Sequence, residues 1–309
     1  MKRKLFILFL CILSMANTFA QDSCRDNYEM PVKMVSLDGG NQLGYVEEGK
    51  GKAILFIHGL GGNISHWIKT IHQLSSNYRC IAVDLPGYGY SASFRLSDSD
   101  RLGGYANVIW SFAKKLKLKN ITIAGHSMGG QIAVITALAH SELVKNLVLV
   151  DPAGLETFTE TEAMLLSKFS TPAFFKSQDE AAIRKSFKNN FSEQPADVES
   201  LIQFRLKLRY CSHFDDYTKT ISAGVTGMLS HPVKNYLSSL KQNVLLLFGE
   251  DDHLIPNLLL HPTMKLADVV KISTDNIKHL SVVTIPKAGH MLPFERPVET
   301  SSAIKKYLK

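Results

Sequence analysis

The sequence predicts an α/β protein, with a mostly parallel central sheet flanked by helices. Three observations predict it. Apolar runs at residues 53–57, 80–83, 147–150 and 243–248 read as strands buried on both faces. Helix-like stretches separate these runs, the alternation expected of parallel βαβ units. Loops rich in Gly, Asp and Pro close several of them. At 309 residues the chain can bury a substantial core. It shows no internal repeat and no low-complexity tract.

The amino terminus reads differently from the rest. Met1, Lys2, Arg3 and Lys4 form a basic start, residues 5–13 a short apolar stretch, and Thr18 and Ala20 supply small residues before a cleavage point. Residues 1–20 are therefore predicted to be a secretory signal peptide, and the protein to be secreted or periplasmic. The apolar stretch is too short for a stable membrane anchor. Gln21, Asp22 and Ser23 before Cys24 match a lipoprotein signal poorly. Cleavage lowers the net charge from +7 by the three charges of Lys2, Arg3 and Lys4, to +4. The remaining Lys and Arg form no dense block, which argues against nucleic acid as a partner. With Cys11 removed, Cys24, Cys80 and Cys211 remain, and an odd count excludes a complete disulfide framework. Cys80, inside an apolar run, reads as a buried thiol. Cys24 and Cys211 are free to pair in an oxidising compartment, but nothing in the sequence sets their distance.

The elements follow in order. Residues 32–36 and 42–47 flank Asp38, Gly39, Gly40 and Asn41, a hairpin pattern that adds an antiparallel edge. Residues 53–57 form a strand ending at His58, Gly59, Leu60, Gly61 and Gly62. Residues 65–74 read as helix, 80–83 as strand, 100–116 as helix, 120–124 as strand, 131–139 as buried helix and 147–150 as strand. Residues 155–240 break this rhythm. They hold several helix-like runs, few strand-like ones, and the exposed-looking aromatics Phe158, Phe169, Phe174, Phe175, Phe187 and Phe191. The core rhythm returns at 243–248 and 281–286. The predicted organisation is therefore a core of residues 21–154 and 241–309, with residues 155–240 inserted as a helical cap.

One five-residue stretch carries the chemistry. Gly125, His126, Ser127, Met128 and Gly129 form a Gly-x-Ser-x-Gly pattern between a strand and a helix. In that setting a serine sits on a sharp, strained turn that lifts its hydroxyl clear of the sheet. A serine hydroxyl needs a base, and the base needs an orienting group. His290, after the last core strand, is the candidate base, and Asp252, in the loop after residues 243–248, the candidate acid. All three chosen residues follow strand ends, where parallel sheets gather their reactive groups. Asp84, also at a strand end, reads as a structural turn residue. Trp67 either lines a pocket or packs in the core.

Together these residues make the chain strongly resemble the α/β-hydrolase superfamily, over nearly all of residues 21–309. The resemblance implies that Ser127 is the nucleophile, His290 the base and Asp252 the acid, in the family's Ser, Asp, His order. Asp252 stands in the family's Gly-x-x-Asp-x-x-x-Pro pattern, here Gly249 to Pro256; the resemblance leaves Asp251, offset by one residue, and Asp151, after the strand that follows the elbow helix, as reserve acids. It also implies an oxyanion hole made by the backbone N–H groups of Met128 and Leu60, with His58 structural. Serine rather than aspartate at the elbow argues against the haloalkane dehalogenase and epoxide hydrolase branches. The expected reaction is acyl transfer to water. The leading substrate is a small apolar ester, since the cap is rich in aromatic residues. Alternatives are carbon–carbon bond hydrolysis of the ring-cleavage product type, cofactor-free haloperoxidase or perhydrolase chemistry, and a non-enzymatic binding role on the same fold. His126 and Met291 stand where ring-cleavage hydrolases often show Asn and Trp. No dinucleotide fingerprint and no metal-ligand cluster accompanies the motif, so no cofactor and no metal is expected.

Overall fold

The computed structural model describes residues 24–309. The signal-peptide reading of residues 1–20 and Cys11 lie outside the described residues. The sheet is built from β1 (Lys33–Ser36), β2 (Gln42–Glu48), β3 (Ala53–Ile57), β4 (Arg79–Val83), β5 (Ile121–His126), β6 (Val144–Val150), β7 (Asn243–Gly249) and β8 (Leu280–Ile285). Its order is β1-β2-β4-β3-β5-β6-β7-β8. The first three strands in that order pair antiparallel and every later pair is parallel. The carboxyl ends of β3, β5, β7 and β8 therefore share one edge of the sheet, and the loops leaving them meet there.

Side-chain alternation divides the strands between two cores. Leu55, Ile57, Ile123, Leu147, Leu149, Leu246 and Phe248 face one layer of helices, α2 (Arg101–Lys115), α3 (Met128–Ala139) and α9 (Leu266–Asn276). Ile54, Phe56, Ala124, Val148, Val150, Leu245 and Leu247 face the other, α1 (Ile68–Leu74) and α11 (Pro297–Leu308). Burial on both faces is why these strands read as unbroken apolar runs.

The boundaries differ from the sequence pattern where polar residues are locally paired. β6 begins at Val144 because Asn146 bridges its neighbours, donating to Thr122 Oγ1 and accepting from Asn243. The helix predicted from residue 65 is split into a 3-10 turn over 64–66 and α1, with Asn63 capping the turn by accepting from Ser65 N. β8 is an edge strand with Val283 exposed, not a doubly buried one. Trp67 is fully buried against Phe56, at 5.0 Å between ring centroids, and packs in the core. Asp84 has the structural role expected of it. Its carboxyl accepts from Tyr28 Oη and from the backbone N–H groups of Ile64 and Tyr90, and burial pushes its pKa up to about 7.

Between β6 and β7 lie five α-helices, α4 (Glu160–Lys168), α5 (Pro172–Ser177), α6 (Glu180–Lys188), α7 (Val198–Leu208) and α8 (Phe214–Ser230), and a 3-10 helix over Lys234–Ser239. Their starts carry recognisable caps: a Thr159–Glu162 capping box for α4, Thr171 before Pro172 for α5, and Asp179 for α6. A disulfide joins Cys24 to Cys211, between α7 and α8, with Cα atoms 5.8 Å apart. The pairing that sequence left open is thus made, and it fastens the amino-terminal segment to the inserted helices. Cys80 is free and buried, and burial pushes its thiol up to about 12. Among the described residues no helix is long and apolar enough to cross a membrane.

This arrangement predicts a simple labelling pattern. Among Cys24, Cys80 and Cys211, none should take up iodoacetamide in the native protein purified without reductant, and after urea unfolding Cys80 alone should do so. Cys211→Ser should lower stability by about 2–5 kcal/mol in urea titration. Labelling of Cys24 and Cys211 in the unreduced, unfolded chain would contradict the pairing.

Candidate active site

The site begins with a steric constraint. Ser127 lies between β5 and α3 at φ 53 and ψ −120, a conformation L-residues rarely adopt. Its carbonyl accepts from Gly130 N and Ala153 N, and its own N–H donates to Val150 O at 3.0 Å. Gly125 and Gly129 make the turn possible. A Cβ on Gly125 would stand 2.6 Å from Gly130 N, and one on Gly129 would stand 2.6 Å from His58 O. Both neighbours are backbone atoms that no side-chain rotation can move. The helix α3 starts directly at Met128, three residues earlier than the apolar pattern suggests.

The loops after β7 and β8 bring the other two candidates together. His290 Nδ1 lies 2.8 Å from Asp252 Oδ2. The other carboxyl oxygen of Asp252 accepts from Leu254 N at 2.7 Å and Ile255 N at 3.1 Å, so its orientation is set on both sides. A carboxylate can only accept, so Nδ1 of His290 donates to it, which leaves Nε2 facing away from Asp252. Neither reserve acid bonds to His290 in this structure. Asp251 accepts from Ser192 Oγ. Asp151 accepts from Gly249 N, and burial, reinforced by the nearby Asp252 charge, holds its carboxyl well above the usual range. Ser127 and His290 line one cavity, although no hydrogen bond joins them in this structure.

The loop after β3 completes the constellation. His58 Nε2 accepts from Leu85 N at 3.0 Å, so its Nδ1 donates to Gly59 O at 2.8 Å. The buried ring, with its pKa lowered to about 4 by burial, is a neutral strut for the loop. Among the described residues, the backbone N–H groups of Leu60 and Met128 have no hydrogen-bond acceptor within the protein. His126 adds a link that sequence reasoning missed. Its Nε2 donates to His290 O at 2.7 Å, tying the elbow to the loop that carries His290.

These groups open on a cavity of about 430 Å³. Its walls are largely apolar and come from α6, α7 and α8 as well as the core, through residues such as Phe187, Phe204 and Ile221. The six aromatics singled out from the sequence divide. Phe158, Phe175 and Phe187 line the cavity, Phe191 is buried, and Phe169 and Phe174 are exposed. Among the described residues, no group of three His, Cys, Asp or Glu side chains could hold a metal ion.

The matching family model, described as alpha/beta hydrolase fold, spans residues 52–297. The chain belongs to the alpha/beta hydrolase fold family. Within it, the chain is 24% identical over 278 residues to the (E)-2-((N-methylformamido)methylene)succinate hydrolase of Acinetobacter baylyi, covering 90% of this chain and 98% of that protein. It is 26% identical to the pimeloyl-[acyl-carrier protein] methyl ester esterase of Wigglesworthia glossinidia brevipalpis, covering 83% and 93%. A probable hydrolytic enzyme from Pseudomonas aeruginosa shares the fold with a TM-score of 0.80, at 23% identity, covering 92% of this chain and 96% of its own. Family membership and these relatives support a hydrolase.

One wall of this hydrolase-fold cavity is held by an ionic cluster also missed from sequence. Glu156 accepts from Asn257 N and from His261 Nδ1, and His261 Nε2 lies 3.4 Å from Glu162 at the start of α4. The hydrogen bond to Glu156 raises the His261 pKa above its ordinary 6.5, against the opposing effect of burial. A histidine raised in the folded state gives its full stabilisation below the ordinary value and loses it as pH rises through the raised one. Stability of the wild type should therefore fall more steeply above about pH 6.5 than that of His261→Gln, measured by urea midpoints. Parallel profiles would contradict a charged His261.

Proposed function

We propose that this protein is a serine hydrolase of carboxylic esters with apolar acyl or alcohol groups. The observation that carries the reading is the hydrogen-bonded His290–Asp252 pair opening, with the strained Ser127, onto one largely apolar cavity. In this reading Ser127 Oγ attacks the ester carbonyl while His290 Nε2 takes its proton. Asp252 holds the imidazole in the required tautomer and stabilises the cation that forms. The carbonyl oxygen, now negative, is met by the N–H groups of Leu60 and Met128, which have no other acceptor; losing such a donor costs about 2.7–4 kcal/mol of barrier. His290 then protonates the leaving alcohol, and water repeats the sequence to release the acid. Helices α4–α8 act as a cap that selects the substrate.

The Cys24–Cys211 disulfide supports the proposal that the protein works in an oxidising compartment after export. The esterase named among the relatives supports the reaction class.

Rates on p-nitrophenyl esters from acetyl to palmitoyl test this directly. The wild type should turn over at least part of the series. Ser127→Ala should abolish turnover, and Asp252→Asn should lower kcat by about 10⁴-fold while leaving the thermal unfolding curve cooperative. Turnover that survives Ser127→Ala would refute the assignment.

A further inference from the structure

Arg205 is the unusual residue of the cavity. It projects from α7, in the run Leu201, Ile202, Gln203, Phe204, Arg205, Leu206, and is the one Lys or Arg among the described residues that line the space. Among the described residues no carboxylate lies within ion-pairing distance of it. The one carboxylate that shares the cavity wall, Glu156, is taken by His261 and Asn257. A guanidinium has five N–H donors, and among the described residues one acceptor meets it: Nη1 donates to the Tyr217 hydroxyl, over whose ring the guanidinium carbon sits at 4.7 Å. Burial lowers the Arg205 pKa to about 10, so the side chain is cationic at neutral pH. An unpaired cation against an apolar wall is costly, and structures normally relieve that cost with a counter-charge. The described residues supply none to this half-buried side chain.

Its place in the site gives the charge a use. The Tyr217 hydroxyl spends its own proton on Gly61 O at 2.7 Å, so it accepts from Arg205 while bracing the loop that carries Leu60. Gly59 of the same loop abuts Ser127: a Cβ there would stand 3.1 Å from Ser127 Cβ. Arg205 Nη1 lies against the same loop, 3.8 Å from where a Cβ on Gly61 would stand, so the guanidinium and the elbow flank one loop and face one cavity.

We propose that Arg205 is an anion subsite and that the substrate is an ester bearing a free carboxylate. This rests on the ester-hydrolase reading for the reaction but not for the binding. A carboxylate matches the planar fork of a guanidinium with two parallel hydrogen bonds. One cation also matches one negative charge. A phosphate monoester, at about −1.5 to −2, would leave charge uncompensated in an apolar pocket. Tyr217 is a positioning residue in this scheme, coupling the occupied subsite to the loop at Gly61.

The test compares p-nitrophenyl butyrate with the mono-p-nitrophenyl esters of succinate, glutarate and adipate. In the wild type at least one anionic ester should exceed butyrate by tenfold or more in kcat/KM, chiefly through KM. Arg205→Met should lower that anionic-to-neutral ratio at least tenfold, and Arg205→Lys should retain part of it. Tyr217→Phe should lower kcat on the preferred ester more than it raises KM. Calorimetric titration with glutarate and with uncharged glutaramide reads the subsite without turnover. Glutarate should bind the wild type and bind Arg205→Met, and Arg205→Lys less severely, with reduced affinity; glutaramide should show no such dependence. Failure of glutarate to bind, or equal binding by wild type and both variants, overturns the subsite whatever the ester rates are. Glutarate binding that depends on Arg205, without hydrolysis of any ester, sustains the subsite and overturns the reaction assigned to it.

Discussion

The close approach of α3 to the ends of β3 and β5 is the constraint on which the rest of the site depends. The helix can start directly after the strand because positions 125 and 129 carry no side chain, and their backbones pack against carbonyl and amide groups. That contact forces Ser127 into a conformation costing about 1–3 kcal/mol. The surrounding structure holds it there through Val150 O, Gly130 N and Ala153 N. The same contact leaves Met128 N as the first donor of α3, without a partner in the preceding strand. The placement of Ser127 and of the donor beside it is one geometric consequence.

The neighbouring loops are locked to this turn rather than standing independently. His126, inside the elbow, holds the His290 carbonyl. Gly249, at the end of β7, packs so closely on the β8 loop that a Cβ would stand 2.5 Å from Gly289 O. Glu295 accepts from Gly289 N, Ser192 N and Glu193 N, joining the His290 loop to the inserted helices. Phe191, Leu201 and Ile202 pack with Met291 and Phe294 over the same junction. The inserted segment thus supports the His290 loop as well as walling the cavity. The disulfide at Cys211 fastens its far side.

What could be read from sequence follows from how local each feature is. Parallel strands buried on both faces leave an unbroken apolar signature, and the elbow is specified by glycines within five residues. That Asp252 and His290 lie in loops after strand ends was legible from the apolar runs before them. The remainder depends on contacts far apart in the chain. Cys24 meets Cys211 across 187 residues, which no spacing reveals. The split before α1 and the early start of β6 turn on single polar partners, Asn63 and Asn146. Arg205 and Tyr217 sit in an amphipathic helical region where a charged residue ordinarily faces water; the one hint was an arginine amid Leu201, Ile202, Phe204 and Leu208. His126 reads as a variable elbow position until the strand order places the His290 loop beside it.

The central claim is that the elbow, the His290–Asp252 pair and the two free N–H groups activate one serine. Peptide mapping by mass spectrometry after treatment with a fluorophosphonate tests it most directly. The account predicts a single phosphonyl adduct on Ser127, formed fast in the wild type and slowed at least a hundredfold in His290→Ala. An unlabelled protein, an adduct on another residue, or equal labelling of the His290 variant would contradict it.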